Sequence, residues 1–397
     1  MPASLRITGA RVWEGADRGF VQRDLFISAG RVVDALRGED RPRTLDGTGR
    51  WLVPGLIDAH FHAYATSMDG FENERGPLSF AAINGARRLG LALGRGFTTV
   101  RDVAGGDIGL ARAIDAGLFA SPRYHFTGPA LSQTGGHGDA RSAHVDVCFS
   151  HGHMCEVVDG VDALRIAVRE RLRTGAHAIK VMTSGGVFSL TDPIRVPQYS
   201  AEEIRAVADE AVRRGSYVTA HAYSSEAVLH SIENGVRSIE HGNLIDASTV
   251  ARMAQLGSFL VPTLAAYDAM DRRGADLGLN AISLAKNTEV LSKGKEAIQL
   301  ALAAGVPVGF GSDLMGDLED DQLCGVRLQV EAAGAAETLR SMTEVNARLI
   351  GDSRLGHLGA GGYGDAVLLS ADPIAEPAAL WEQDARIAVV QDGRVVA

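Results

Sequence analysis

Three cysteines in 397 residues, Cys148, Cys155 and Cys324, are too few and too unevenly spaced for a disulfide framework or a C-x2-C metal clip. Their scarcity points to a reducing cytoplasm. No apolar run reaches the ~18 residues of a membrane span, and the opening MPASLRITGARVWEG lacks the apolar core of a secretory leader. Basic runs interleaved with aromatics are missing as well. The 39 Lys+Arg against 49 Asp+Glu leave a formal charge of −10, which argues against a nucleic-acid partner. Low-complexity linkers are absent, and no repeat extends beyond a single strand–helix unit. What these absences leave is a soluble, cytoplasmic globular chain with no nucleic-acid or membrane partner. Its 46% apolar and 22% charged residues are those of such a protein.

Glycine, by contrast, is plentiful at 47 residues, and most of it ends apolar runs, where turns are needed. The first 50 residues and the last 35 read as short strands broken by Gly and Asp. Between them, strand-like runs alternate with amphipathic helices, the signature of parallel βα units. Eight strand candidates follow in order: GLIDAHFH, TTVRDVAG, RYHFTGPA, AIKVMTSGG, YVTAHAY, SIEHGN, FLVPT and PVGFGSD. Eight units predict an α/β fold of the (β/α)8 barrel type over residues 55–345. A small β-sandwich assembled from both termini, 1–54 and 346–397, would flank it. A doubly wound open sheet fits less well, because no G-x-G-x-x-G turn follows the first strand.

In such a barrel, reactive groups gather where strands exit at the C-terminal mouth. His60 and His62 end the first strand candidate, Lys180 lies on the fourth, His221 on the fifth, His241 on the sixth and Asp313 on the eighth. Taken singly, each has a plain explanation. His221 or His241 serves equally as a hydrogen-bonded core histidine, and Asp313 after GFGS suits a helix N-cap. Lys180, between Ile179 and Val181, is harder to place, since a buried ammonium must lose its proton or find a partner. Reaction of the neutral amine with carbon dioxide would give a carbamate shaped to bridge two cations. The set would then hold two divalent ions, Zn²⁺ foremost, with Mn²⁺, Co²⁺ or Fe²⁺ as alternatives. A bridging hydroxide would attack a carbonyl, with Asp313 shuttling its proton to the leaving amine.

The motifs RITGARVWEG, GTGRWLVPGLIDAHFH, IKVMTSGG, VTAHAY, RSIEHGN, GFGSD and GDAVLLSADP, in that order, resemble the amidohydrolase superfamily, in its binuclear carboxylated-lysine branch. Within it the chain is most similar to the group of Xaa-Pro dipeptidases, ochratoxin hydrolases and imidazolonepropionase-like proteins. The resemblance implies metal ligation by His60, His62, Lys180, His221, His241 and Asp313, and substrate contact by His137 and Tyr223. Both of the latter can donate a hydrogen bond to an oxyanion, a contribution of roughly 3–4 kcal/mol for one well-placed donor. It also implies a homo-oligomer.

His230 and Arg195 are weaker substrate-binding candidates. The helical neighbours of His230 suggest a surface or rim position, and Arg195 sits in a long Pro- and Gly-rich loop after Lys180. That loop and TSMDGFENERG would border the mouth, and Asp102 and Glu240 would support the ligands from behind. The expected activity is hydrolysis of a small amide, a dipeptide or N-acyl amino acid with a free carboxylate. A cyclic amide, carbamate or urea-type substrate is the nearest alternative. A deaminase fits less well, because those relatives use one metal without a lysine carbamate. A non-catalytic binding barrel is disfavoured by the full ligand set.

Overall fold

A computed structural model describes residues 4–36, 42–141, 144, 152–189 and 192–397. Cys148 lies outside the described residues, as do residues 190 and 191 of the loop after Lys180; Cys155 and Cys324 are free thiols. The chain opens with β1 (Leu5–Trp13), β2 (Phe20–Ser28), β3 (Arg31–Val33), β4 (Arg43–Asp46) and β5 (Trp51–Pro54). On β1, buried Leu5, Ile7, Ala10 and Val12 are interrupted by exposed Arg6 and Arg11, the pattern of a strand with one face on a core. The strands that follow, β6 (Leu56–Phe61), β7 (Phe97–Asp102), β8 (Arg123–Phe126), β9 (Ala130–Ser132), β10 (Cys155–Val157), β11 (Ile179–Met182), β12 (Val218–Ser224), β13 (Ser238–Leu244) and β14 (Phe259–Val261), alternate with helices. The C-terminal β15 (Ala366–Leu369), β16 (Arg386–Gln391) and β17 (Arg394–Val395) return to the first sheet, in the order β17-β16-β15-β5-β1-β2-β3 with β4 on β1. Both ends of the chain therefore build one β module. It shares a core with the barrel through Trp13, Val53, Leu56, Phe97 and Val367.

The inner strands β6, β11 and β12 are buried along their whole length, as parallel strands covered on both faces must be. Parallel pairing runs β6-β7-β8 and β9-β11-β12-β13-β14. The third barrel position is split in two at Gly128, whose φ is +72°, and His177 N–H donates to the Phe126 carbonyl at 2.7 Å to join β8 to the fourth. The eighth candidate is bridged rather than laddered. Pro307 has no N–H to give, so Leu260 and Val308 meet in a single bridge. Ala59 N–H reaches the Phe310 carbonyl at 2.9 Å and Asp313 N–H the His60 carbonyl at 2.8 Å, closing the ring. A side chain at Gly311 would come within 2.4 Å of the His60 Cβ, so close approach of the eighth segment to the first requires glycine.

The Asp58 carboxylate fixes the same seam, accepting from the backbone N–H of Ser312 at 3.1 Å and from Gln322 Nε2 at 2.9 Å. Asn346 Nδ2 donates to the Ile57 and Phe310 carbonyls. Helices cover the outside. Ala201–Arg213 begins in a reciprocal Ser200–Glu203 capping box and turns Ile204, Val207, Ala208 and Ala211 inward. No helix among the described residues is long and apolar enough to cross a membrane.

Arg165 and Arg169 of helix Val161–Arg173 both donate to Glu210 of the neighbouring helix. These bonds, from Arg169 first, pull the Glu210 carboxyl from 4.5 to about 2. A depressed carboxylate stabilises the fold above its unfolded pKa and loses that contribution as pH falls through the folded one. Glu210→Gln is therefore expected to lower the melting temperature at pH 7. The difference from wild type should fade as pH falls from about 4.5 to about 2. Equal melting temperatures at pH 7 would show that the cluster contributes nothing.

Candidate active site

Residues i and i+2 of a strand share a face, and His60 and His62 follow that rule, their ring centroids 5.1 Å apart at the exit of β6. The next rings continue the row. His241 lies 5.1 Å from His60, His221 lies 4.5 Å from His241, and His137 stacks on His221 at 4.2 Å. Asp313 faces the first three. Its Oδ1 is 2.9 Å from His62 Nε2 and 3.2 Å from His60 Nε2, and its Oδ2 is 3.7 Å from His241 Nδ1. His241 and Asp313 both sit at left-handed φ, +78° and +54°. Non-glycine residues take that conformation at a cost of order 1–3 kcal/mol, a strain found where surroundings over-determine a functional geometry.

Beneath this row runs a buried ionic column. Glu240 on β13 accepts from Arg101 NH2 and from His60 Nδ1, each at 2.7 Å, and from Ser238 Oγ at 2.9 Å and Thr219 Oγ1. Burial opposes its charge, but Arg101 and His60 hold the carboxyl well below the usual range. An ionised carboxylate only accepts, so His60 Nδ1 carries a proton, and in neutral imidazole Nε2 is then a bare lone pair. That lone pair faces Asp313 Oδ1 at 3.2 Å. Two acceptors at that distance require a positive charge between them. Although burial resists a proton on His60, Asp313 and Glu240 push its pKa up. A metal ion meets the same demand, and the ligand atoms of His60, His62 and Asp313 all lie within 4.8 Å of one another. The residues fit a divalent cation.

Lys180, on β11, is buried in the same wall, and burial pushes its amine down to about 8 against the pull of Glu240 and Asp313. His221 Nε2 meets the Gly185 carbonyl at 3.2 Å. Behind His241, Nδ1 meets Thr263 Oγ1 at 2.7 Å and the Tyr267 hydroxyl at 2.8 Å. Tyr223 stacks on His241, and its hydroxyl lies 2.9 Å from that of Tyr267, with burial pushing the phenol pKa up.

His60, His62, Lys180, His221, His241, Asp313, His137 and Tyr223 thus line one cavity of about 140 Å³. Two of the sequence-derived candidates do not reach it. His230 Nε2 lies 3.0 Å from the Tyr199 carbonyl, because its helix turns that side chain behind the loop rather than toward the mouth. Arg195 pairs with Glu289 at the surface, and its side chain is 58% exposed. Asp102 accepts from the backbone N–H groups of Ala63 and Ala104 and from Tyr124, so it braces the chain beside His62 without touching a ring.

Arg101, Thr263 and Tyr267 were missed. Arg101 has a readable signal, a long cationic side chain within a barrel strand beside Asp102. The cavity also holds Glu74, whose carboxyl burial pushes up to about 7. Its apolar wall is made of Val187, Phe188 and five of the eight methionines: Met68, Met154, Met182, Met270 and Met315.

Arg101→Met leaves Glu240 buried without its cation, and the expected loss of unfolding free energy is roughly 3–5 kcal/mol by urea titration at pH 7. A loss no larger than that of a surface pair, about 1 kcal/mol or less, would contradict the ionic column.

Comparison with known proteins agrees with this geometry. A profile described as Amidohydrolase family matches residues 51–396. Ochratoxinase of Aspergillus niger is 33% identical over 279 residues, 66% of this chain and 58% of that protein, so the match spans little more than half of the relative. Among solved structures, a prolidase complexed with N-methylphosphonate-L-proline is 39% identical with a TM-score of 0.94, covering 99% of each chain. A Xaa-Pro dipeptidase with bound methionine in the active site is 26% identical with a TM-score of 0.86, again over 99% of each.

Proposed function

From the premise that the chain belongs to the amidohydrolase family and is a hydrolase acting on C–N bonds, we propose that it cleaves the amide of a dipeptide or N-acyl amino acid bearing a free carboxylate. One observation carries this reading. A cluster of His60, His62 and Asp313 opens into a cavity lined also by His137, Tyr223 and an apolar thioether wall. Such a pocket takes a polar reacting group at one end and a bulky apolar one at the other. The prolidase relative holds an amino acid substituted on nitrogen, which is the connectivity of the proposed substrate.

His60, His62, His221, His241, Asp313 and a carboxylated Lys180 would hold two divalent cations, Zn²⁺ being the simplest choice, which when bound supply Lewis acidity and a water that ionises near neutral pH. Lys180 is suited to carboxylation because an amine lowered to about 8 is partly neutral at physiological pH. The neutral amine forms the N–C bond to carbon dioxide and releases a proton. Asp313, ionised because His60 and its neighbours outweigh burial, accepts a proton from the attacking water and returns it to the leaving nitrogen.

Tyr223, protonated at every physiological pH, donates to the substrate. Ser189 Oγ lies 2.9 Å from His137 Nδ1 and 3.3 Å from the Gly186 carbonyl. In the tautomer in which the hydroxyl donates to Nδ1, the ring's other nitrogen is protonated and can donate to a carbonyl or carboxylate oxygen.

Protein prepared with zinc and bicarbonate is expected to turn over a panel of N-acyl amino acids and dipeptides, Xaa-Pro included. Converting the free carboxylate to a carboxamide should lower kcat/KM by roughly tenfold or more, the worth of a charge-assisted hydrogen bond. Equal turnover of blocked and free substrates would remove the carboxylate from the proposal. Lys180→Ala should cost several kcal/mol of transition-state stabilisation, on the order of 10³-fold in kcat. Unchanged metal content and turnover in that variant would refute a carboxylated lysine. Thr263→Val removes one of the two hydroxyls on His241 Nδ1 and is expected to weaken metal retention, by up to roughly 10-fold in chelator competition. Unaltered retention would mean that Thr263 does not orient a ligand.

A further inference from the structure

Helix Ala281–Ala303 follows β14 and lies outside the barrel, contributing no residue to the cavity lining. One of its side chains nevertheless reaches the wall from behind. Lys286 Nζ donates to the carbonyls of Gly186 at 3.0 Å, Ser189 at 2.7 Å and Asp192 at 3.0 Å. An ammonium has three N–H donors, and all three are used on one short segment. Three carbonyl oxygens converging on a point repel one another unless a cation sits among them, so the placement of these three carbonyls depends on this charge. The next residue, Asn287, donates to the Tyr267 carbonyl at 2.9 Å, tying the same helix turn to the element that carries Tyr267 and Met270.

The clamped segment meets the site at four places. The Gly185 carbonyl lies 3.2 Å from His221 Nε2. The backbone of Gly186 lies so close to His137 that a Cβ there would stand 2.0 Å from the ring. Val187 and Phe188 form part of the cavity wall. Ser189 Oγ contacts His137 Nδ1 at 2.9 Å.

We propose that Lys286 is a positioning residue for substrate binding: its ammonium gathers the Gly186, Ser189 and Asp192 carbonyls, and thereby sets both the apolar wall and the orientation of His137. The proposal rests on the hydrolase reading above for its kinetic consequence, but not for its structural one. The barrel strands hold His60, His62 and Asp313 without contact to this clamp, so loss of Lys286 acts on substrate binding and leaves that cluster intact.

Lys286→Met in the full chain is expected to raise KM for the best substrate of the N-acyl and dipeptide panel roughly 10–100-fold, the scale of an ångström's misplacement. Metal content should be unchanged and kcat altered far less than KM. Amide hydrogen exchange at Gly186–Ser189 should quicken. Lys286→Arg, whose guanidinium reaches some of the same carbonyls, should recover part of the loss, whereas the uncharged Lys286→Gln should not. An unchanged KM and unchanged exchange in folded Lys286→Met would overturn the proposal. So would a parallel loss of kcat, metal and melting temperature, which is the mark of a merely structural residue. If wild type turned over no member of the panel, the hydrolase reading would fail instead. Exchange at Gly186–Ser189 would still decide the clamp, with unchanged exchange overturning it.

Discussion

The pairing of Arg101 with Glu240 inside the barrel is the interaction on which the site is built. Both side chains are fully buried, so neither charge has water to fall back on, and each is tolerable only because of the other. The pair spans the barrel interior from β7 to β13, and Arg101 adds a 2.6 Å bond to the Ala59 carbonyl on β6. Three strands are thereby referred to one point. Glu240 then spends its second oxygen on His60, so the tautomer of the first histidine in the row follows from an ion pair beneath it.

Around that column, the seam between the first and eighth barrel segments is closed largely by side chains. Asp58, Gln322 and Asn346 add their bonds to the two backbone bonds across it, Ala59 N–H to the Phe310 carbonyl and Asp313 N–H to the His60 carbonyl. The arrangement has a functional logic. A regular ladder would carry the eighth segment on as a strand, whereas a bridged one turns at Asp313 into the left-handed region and aims its carboxylate at His60 and His62. The strain at Asp313 and His241 is held in place by this closure and by the bonds from Thr263 and Tyr267.

Much of this was legible in the sequence because it depends on periodicity. Strand exits are marked by the end of apolar runs, and alternation places His60 with His62, and His221 with Tyr223, on common faces. The eight barrel positions and the gathering of these polar side chains at one mouth follow from that pattern, while their role as metal ligands is what the family resemblance implies. What periodicity cannot convey is how an outer element docks. His230, which its helical neighbours place at a surface or rim position, turns to the Tyr199 carbonyl. Arg195 lies in the right loop and is drawn outward by Glu289. Thr263 and Lys286 were invisible for the complementary reason. A threonine after a strand and a lysine on an amphipathic helix are ordinary, and only tertiary packing sets the one against His241 and the other against three carbonyls.

The thioether wall carries a chemical consequence of its own. Methionine is apolar and adaptable only while its sulfur is reduced, and each oxidation to the sulfoxide installs a polar, chiral group in its place. Five such side chains around one small cavity make its lining susceptible to oxidation. Peroxide that reached the mouth would convert an apolar lining to a polar one while leaving the imidazoles unaltered. Affinity for apolar substrates would then decline before the ability to hydrolyse, and a reductase acting on exposed sulfoxides would restore it.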